Sequence, residues 1–516
     1  MYLYTEQRLK HNYIYCEIGG GKENMILIGK PDNDTIIKHY KWFLDYIKRY
    51  DKHNIKWNKT KTRLVQGKKK ISMSNEAYDL INHIIDPVNL NKIVIGSSMD
   101  LEVIIERVLL KWPRIFSYEV NKSVRAFLVS KTTVLKNNYG DMEVHEEIKL
   151  DLDKYFKRHE LVLEKYINDY KTIGTRIDKI NFVDEKAMVI SIEKLVDFKI
   201  FEILNSNDEK EIYDKAYKSY VKKKKDNGEV DPEKQFIGKT SKQIEKIIDK
   251  DIKIKEKEHL ANKSKSTFDE VDEILSSLFN YKNFTEYRKI KWDAYKLVDA
   301  LDVSTCPYCN RAYTFTYDSN QGRCRADLDH FYPKSKYPFL SVSLFNLIPS
   351  CHICNSSLKG SKDFYFEKHM HPYYESFSDD AFFNITSDKS SDLIDVLYGV
   401  NDNFRVFIDK DSSSILDDEI FLRINNSTST FKIEELYSKH TDYIFEVIKK
   451  SIAFSPNDLD NMMIDYGELF LDKDELVRSI FSNYIQEKDL NKRPLSKLTR
   501  DIMKQYYNVD GLRIGE

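Results

Sequence analysis

Apolar residues recur every three or four positions over much of this chain and cluster in short runs elsewhere. That pattern predicts many helices with a few strands between them. Over 101–110, Val103, Ile104, Val108 and Leu109 fall near one face of a helix, and Leu152, Phe156, Leu163, Tyr166, Ile167 and Tyr170 keep helical spacing. Ile244, Ile247, Ile248 and Ile252 form a narrow apolar stripe among alternating charges, the pattern of a surface or partner-facing helix. Helical stretches over 271–278 and 292–301 follow. Near the end, Ile433, Leu436, Tyr437, Ile444, Val447 and Ile448 keep one stripe; Ser455-Pro456 opens a further helix, 476–485 continues, and 493–498 opens the last. Strands are expected at 13–18 and 25–28 around a glycine turn, at 92–96, and at 382–385, 404–408 and 420–424.

Four regions follow: an α/β stretch over 1–148, a helical Lys-rich stretch over 149–290, a compact segment over 291–378, and strands followed by helices over 379–516. Gly19-Gly20-Gly21-Lys22 is no phosphate loop, because Cys16 and Glu23 stand where that motif needs Gly and Ser or Thr. Lys222 to Lys225, ahead of Asn227-Gly228, reads as a solvated loop.

Charge narrows the function. The 516 residues carry a net charge of −1, so the whole molecule lacks the field of a general nucleic-acid coater, and any such site must be local. A local excess of +4 exists over 322–362, where Arg323, Arg325, Lys334, Lys336, Lys359 and Lys362 face only Asp327 and Asp329. Arg323, Arg325, Lys334, Lys336 and Lys359 are the candidate phosphate contacts. Neither a charged-then-apolar leader nor a long apolar run is present, so a soluble cytoplasmic protein without membrane contact is expected.

The chemistry concentrates in 306–360. Cys306 with Cys309 and Cys351 with Cys354 form two Cys-x-x-Cys pairs, the spacing of a closed structural Zn2+ site. Disulfides and unliganded core cysteines compete with that reading; disulfides need an oxidising compartment. Cys16 and Cys324 are expected as buried small residues, with Cys324 a minor alternative ligand and His352 a lesser one. His369-x-His371 is read as packing rather than a metal pair.

Between the cysteine pairs lie Asp327-Leu328-Asp329-His330-x-x-Pro333 and Phe345-Asn346-Leu347-Ile348-Pro349, and Asn355 follows Cys354. This pattern resembles the HNH endonucleases, the ββα-metal group of His-metal finger nucleases, here as a His-Asn-Asn variant. With its cysteine brackets it is similar to HNH nucleases of bacterial anti-phage systems, such as Septu and some retrons. The match covers roughly 300–375.

The apolar pattern predicts an α+β, predominantly helical fold, with an α/β N-terminal flank and a mixed, mainly helical C-terminal flank, and the resemblance implies a zinc-stapled ββα-metal core between them. It implies that His330 takes a proton from the attacking water and that Asn346 fixes the loop orienting it. Asp329 and Asn355 would hold Mg2+ or Mn2+, with Asp327 as an additional or outer ligand. DNA is the expected substrate and RNA the alternative, with a separate ATPase or other defence subunit as partner. A zinc-stabilised nucleic-acid-binding or scaffold protein is the non-enzymatic reading.

Overall fold

The computed structural model describes residues 27–54, 63–66, 69–72, 74–138, 141–166, 206–286, 292–319, 321–377, 381–387, 390–410 and 418–507. The expected hairpin at 13–28 falls almost wholly outside them, as do Cys16, Ile167 and Tyr170.

The described residues are mostly helical, with short antiparallel strand pairs: β1 (Arg63–Gln66) with β2 (Lys69–Ser72), β3 (Tyr317–Asp318) with β4 (Arg323–Cys324), β5 (Asp327–His330) with β6 (Leu347–Ser350), and β7 (Ala381–Thr386) with β8 (Arg405–Lys410). None closes into a larger sheet.

Local chemistry sets the helix ends. Ser97 and Asp100 form a reciprocal capping box at Ser98–Lys111. Pro113 occupies the first position of Pro113–Asn137, where its missing N–H costs nothing. Asp293 caps Ala294–Leu301, which ends at Asp302 in the left-handed region (φ 48°). Among the described residues no helix is long and apolar enough to cross a membrane.

One apolar core runs from Ile36 to Tyr507. A satellite core of Ala216, Val221, Phe236 and Ile248 lies apart from it, in an arm made by Ser206–Asp226 and the first half of the 38-residue helix Ser241–Leu278. The second half of that long helix returns to the main core, where Phe268 meets Phe116 edge-on at 5.7 Å.

The structure corrects several expectations. Residues 92–95 belong to the helix Pro87–Ile95, which Gly96 ends, because Asp86 caps its start by accepting from the Val88 and Asn89 amides. The described N-terminal flank is therefore helical apart from β1 and β2. Residues 420–424 lie in the helix Asp418–Thr430. Lys222 to Lys225 form the last turns of Ser206–Asp226, where four cations suit the negative helix end. The stripe from Ile433 to Ile448 is split between Ile433–Tyr437 and Thr441–Ala453. The expected strands near 382–385 and 404–408 form as β7 and β8, and Ser455 opens Pro456–Tyr466 with its own capping box.

Candidate metal centre and hairpin

The helix Ala294–Leu301 delivers the chain into the first cysteine turn, in which the Asn310 amide donates to the Cys306 carbonyl at 2.8 Å. Asn310 takes φ 45°, and its side chain clamps the turn to the C-terminal segment. Its amide nitrogen donates to the carbonyls of Leu490 and Arg493, and its oxygen accepts the Lys497 amide. Tyr437 donates to the Cys309 carbonyl from behind at 2.7 Å. The second turn begins where β6 ends, with the Cys354 amide 3.5 Å from the Cys351 sulfur.

These turns bring the four sulfurs of Cys306, Cys309, Cys351 and Cys354 within 4.8 Å of one another, and three of the four residues are buried. Cys309 and Cys351 are 3.9 Å apart, far beyond a disulfide bond. Four thiolates at ~2.3 Å from one zinc ion stand ~3.8 Å apart, so the cluster fits that ion. Burial pushes the Cys306 thiol up, while hydrogen bonds from the other three cysteines hold Cys351 far down. A dication among them removes that conflict by favouring the thiolates together. Cys324, by contrast, is exposed on β4, which corrects the expectation of burial.

Strands β5 and β6 form the floor between the cysteine turns. Pro349 brings no N–H to the pair, and the Leu328 carbonyl opposite it accepts the Tyr281 hydroxyl at 3.3 Å. The loop from 331 to 346 is tied at its base by Asn346, which is fully buried. Its oxygen accepts the Tyr332 amide at 2.7 Å, and its nitrogen donates to the carbonyls of Tyr332 and Leu340. The next carbonyl, that of Ser341, lies 2.9 Å from His330 Nε2. A carbonyl only accepts, so Nε2 carries the proton and Nδ1 keeps its lone pair. Burial, with Lys334 nearby, lowers the His330 pKa to about 3, and the ring is neutral at pH 7. Tyr281 packs edge-on against it at 4.5 Å.

Residues alternate across a strand, so Asp327 and Asp329 leave the face opposite to that of His330. Asp329 is buried, and both its oxygens are occupied: Tyr308 donates to one at 2.6 Å and Lys359 to the other at 3.0 Å. Lys359 also donates to the His330 carbonyl at 2.6 Å. Asp329, expected as an Mg2+ ligand, is thus turned to Tyr308 and Lys359 in this structure, while Asn355 meets Asp327. The oxygen cluster forms one pleat away. Asp327 Oδ2 accepts from Asn355 Nδ2 at 3.1 Å and lies 2.9 Å from His352 Nδ1. Asn355 and His352 reach it from the start of the π-helical segment Ile353–Lys359. His352 is thus turned toward Asp327.

The five candidate phosphate contacts separate. Lys336 is buried, donating to Ser123 beside Asp363, and Lys359 is buried on Asp329; neither ammonium reaches solvent. Arg323 is paired with Asp293 and Asp318. Arg325 and Lys334 remain, each beside a tyrosine ring. His369 stacks on Phe364 and His371 packs against Phe331, so both back the hairpin. Sequence reasoning missed Tyr308, Tyr281 and Ser341. No motif marks them, because each acts through a contact made only on folding.

A mostly helical protein with a buried four-cysteine site able to chelate a metal ion is what these observations define. Over 80 residues the chain is 38% identical to protein ea31 of Escherichia phage lambda, a stretch covering 15% of this chain and 23% of that protein. The similarity therefore spans about a quarter of the relative's length. No family model and no solved structure matches the chain.

Proposed function

We propose that the chain is a metal-dependent endonuclease of the HNH type that hydrolyses phosphodiesters in DNA. A role as effector in anti-phage defence, beside a separate ATPase or other defence subunit, rests on the resemblance of its motifs. The carrying observation is the tautomer of His330: the Ser341 carbonyl holds Nε2–H, in a loop tied by Asn346, and leaves Nδ1 as a neutral base. A pKa of about 3 makes this a weak acceptor in the free protein. An anionic phosphate beside the ring favours its charged form and strengthens it. Asp327, His352 and Asn355, the last turned to present its oxygen, are the side chains suited to hold a divalent cation. Bound Mg2+ or Mn2+ would supply charge stabilisation at the leaving oxygen.

The test sets the wild-type chain beside His330→Ala on plasmid, single-stranded DNA and total RNA with Mg2+ or Mn2+. Cleavage should fall by about 10²–10⁴-fold in the variant, with zinc content and overall folding retained. Equal cutting by both proteins removes His330 from the chemistry. Cutting of RNA alone moves the substrate class to RNA.

Asp329 favours a second reading. Its carboxylate is spent on Tyr308 and Lys359, and the His330 ring meets Tyr281 rather than the Asp327–Asn355 pair. On that reading the four-cysteine site holds together a nucleic-acid-binding or scaffold protein. A wild-type chain that retains zinc, binds nucleic acid and cuts none of the three substrates selects it.

A further inference from the structure

His39 and Phe43 stand one turn apart on the helix Asn33–Asn54, and both are buried. They reach the loop that orients His330 by two routes. His39 Nε2 lies 2.8 Å from the Val342 carbonyl, 303 positions along the chain, and His39 Nδ1 lies 3.3 Å from the Trp292 indole nitrogen. An indole only donates and a carbonyl only accepts, so one His39 tautomer satisfies both, with the proton on Nε2. Phe43 stacks on Phe279 at 5.4 Å with 19° between the planes. Phe279 is the buried residue just past Ser241–Leu278, where carbonyls lack an intrahelical partner. Its carbonyl accepts the Ser341 hydroxyl at 2.5 Å. The Pro338 carbonyl, 2.8 Å from the same hydroxyl, already receives the Ser341 amide at 3.2 Å, which leaves the hydroxyl proton free for Phe279.

These ties bracket one peptide group. The Ser341 side chain is held on one side of the Ser341–Val342 peptide, and the Val342 carbonyl on the other. The carbonyl between them is the one 2.9 Å from His330 Nε2. Two consecutive carbonyls thus each take an imidazole N–H, one from the N-terminal flank and one from the hairpin. A peptide plane held at both ends keeps its oxygen on His330. The flank, and not the hairpin alone, therefore selects which nitrogen of His330 carries the proton.

We propose that His39 and the Ser341 hydroxyl are positioning residues for His330: braced by Trp292, Phe43 and Phe279, they hold the Ser341 carbonyl that leaves Nδ1 of His330 free. This deepens the nuclease reading and rests on it for any effect on cleavage, but the state of the His330 ring is measurable without cutting. The experiment uses the full zinc-loaded chain carrying isotope-labelled histidine, with the ring-nitrogen resonances of His330 assigned by their absence from His330→Ala. In the wild-type chain they should show the Nε2–H form. Ser341→Ala should move them toward the average of the two tautomers, and Ser341→Thr, which keeps a hydroxyl, should restore them. His39→Phe keeps a ring in the slot, drops the donor to Val342 and should shift the same resonances, so the brace stays testable if one variant fails to fold. On a substrate that the wild-type chain cuts, Ser341→Ala should lower kcat by about 10–100-fold with KM within about twofold. It should cost nothing further in a His330→Ala background. His330 resonances unchanged in both variants, or an equal loss of cleavage in the His330→Ala background, would overturn the brace. A wild-type chain that cuts nothing while its His330 resonances respond as expected sinks the nuclease reading and leaves the brace standing.

Discussion

The cysteine-bracketed hairpin and the helical arm of Ser206–Asp226 and Ser241–Leu278 are held by different physics. In the arm, four buried residues, Ala216, Val221, Phe236 and Ile248, meet a fringe of partly buried tyrosines and isoleucines. Its many charges pair locally at the surface, as Lys215 does with Glu211 and Lys253 with Asp249. Such pairs contribute little. In the hairpin, the strands are short, yet almost every side chain is buried, and Asp327, Asp329 and His330 each hydrogen-bond a group more than ten residues away in sequence. Asn310, Asn346, Asp329 and Lys359 each satisfy several buried polar groups. A narrow apolar stripe builds the arm, whereas convergent polar anchors and four thiols build the hairpin. The two should therefore fail under different insults.

Removing a sulfur should produce the largest difference. Structural zinc contributes on the order of 10 kcal/mol of folding free energy in small zinc domains. Cys354→Ser should take the metal content well below one ion per chain and lower the melting temperature by more than 10 °C. Hydrogen exchange should accelerate across β5 and β6 while the arm keeps its protection. Full zinc occupancy in Cys354→Ser would mean that the four sulfurs do not act as one site.

Acid should come next, because buried imidazoles are concentrated in the main core. Burial lowers His39 to about 4 and both His159 and His371 to about 3. His39 donates from one ring nitrogen to Val342 and accepts from Trp292 on the other, so its ring has no room for a second proton. Each folded pKa lies below the unfolded value near ~6.5, so below that pH the unfolded chain binds protons that the folded one does not. Stability is full above about pH 6.5 and falls as the pH drops toward 4, by up to about 1.4 kcal/mol per pH unit for each group. Urea midpoints at pH 7.0 and 5.0 measure it. The midpoint for the main core should drop at pH 5.0, and an unmoved midpoint would show that these rings take up protons without unfolding.

What was legible in the sequence follows the same divide. The four cysteines could be assigned to one cluster because Cys-x-x-Cys spacing aims two sulfurs at a point whatever surrounds it. The arm's stripe of Ile244, Ile247, Ile248 and Ile252 was equally readable, since a surface helix declares itself by period alone. Residues 92–96 misled because Ile93, Val94 and Ile95 are β-branched, but a weak strand preference lost to the cap at Asp86 and to burial. Residues 420–424 failed for a related reason: five apolar-rich positions are too few to separate a strand from a helix turn. The fate of Asp329 was out of reach. Alternation places it on a face, but Tyr308 and Lys359, 21 and 30 residues away, meet it only once the chain has folded.

The arm offers the smallest and most local break. Phe236 lies between Tyr217 and Tyr220, at 5.1 and 5.9 Å, where the turn between the two helices closes. It is the largest side chain in the satellite core, so no neighbour can fill the space it leaves. Phe236→Ala should cost about 3 kcal/mol of arm stability, and the cost should stay in the arm because, among the described residues, its core is separate from the main one and the long helix joins the two. Hydrogen exchange over 206–252 should quicken, while zinc content and protection over 327–350 stay as in the wild-type chain. If β5 and β6 lose protection with the arm, the long helix transmits strain into the metal centre and the two regions form one cooperative unit.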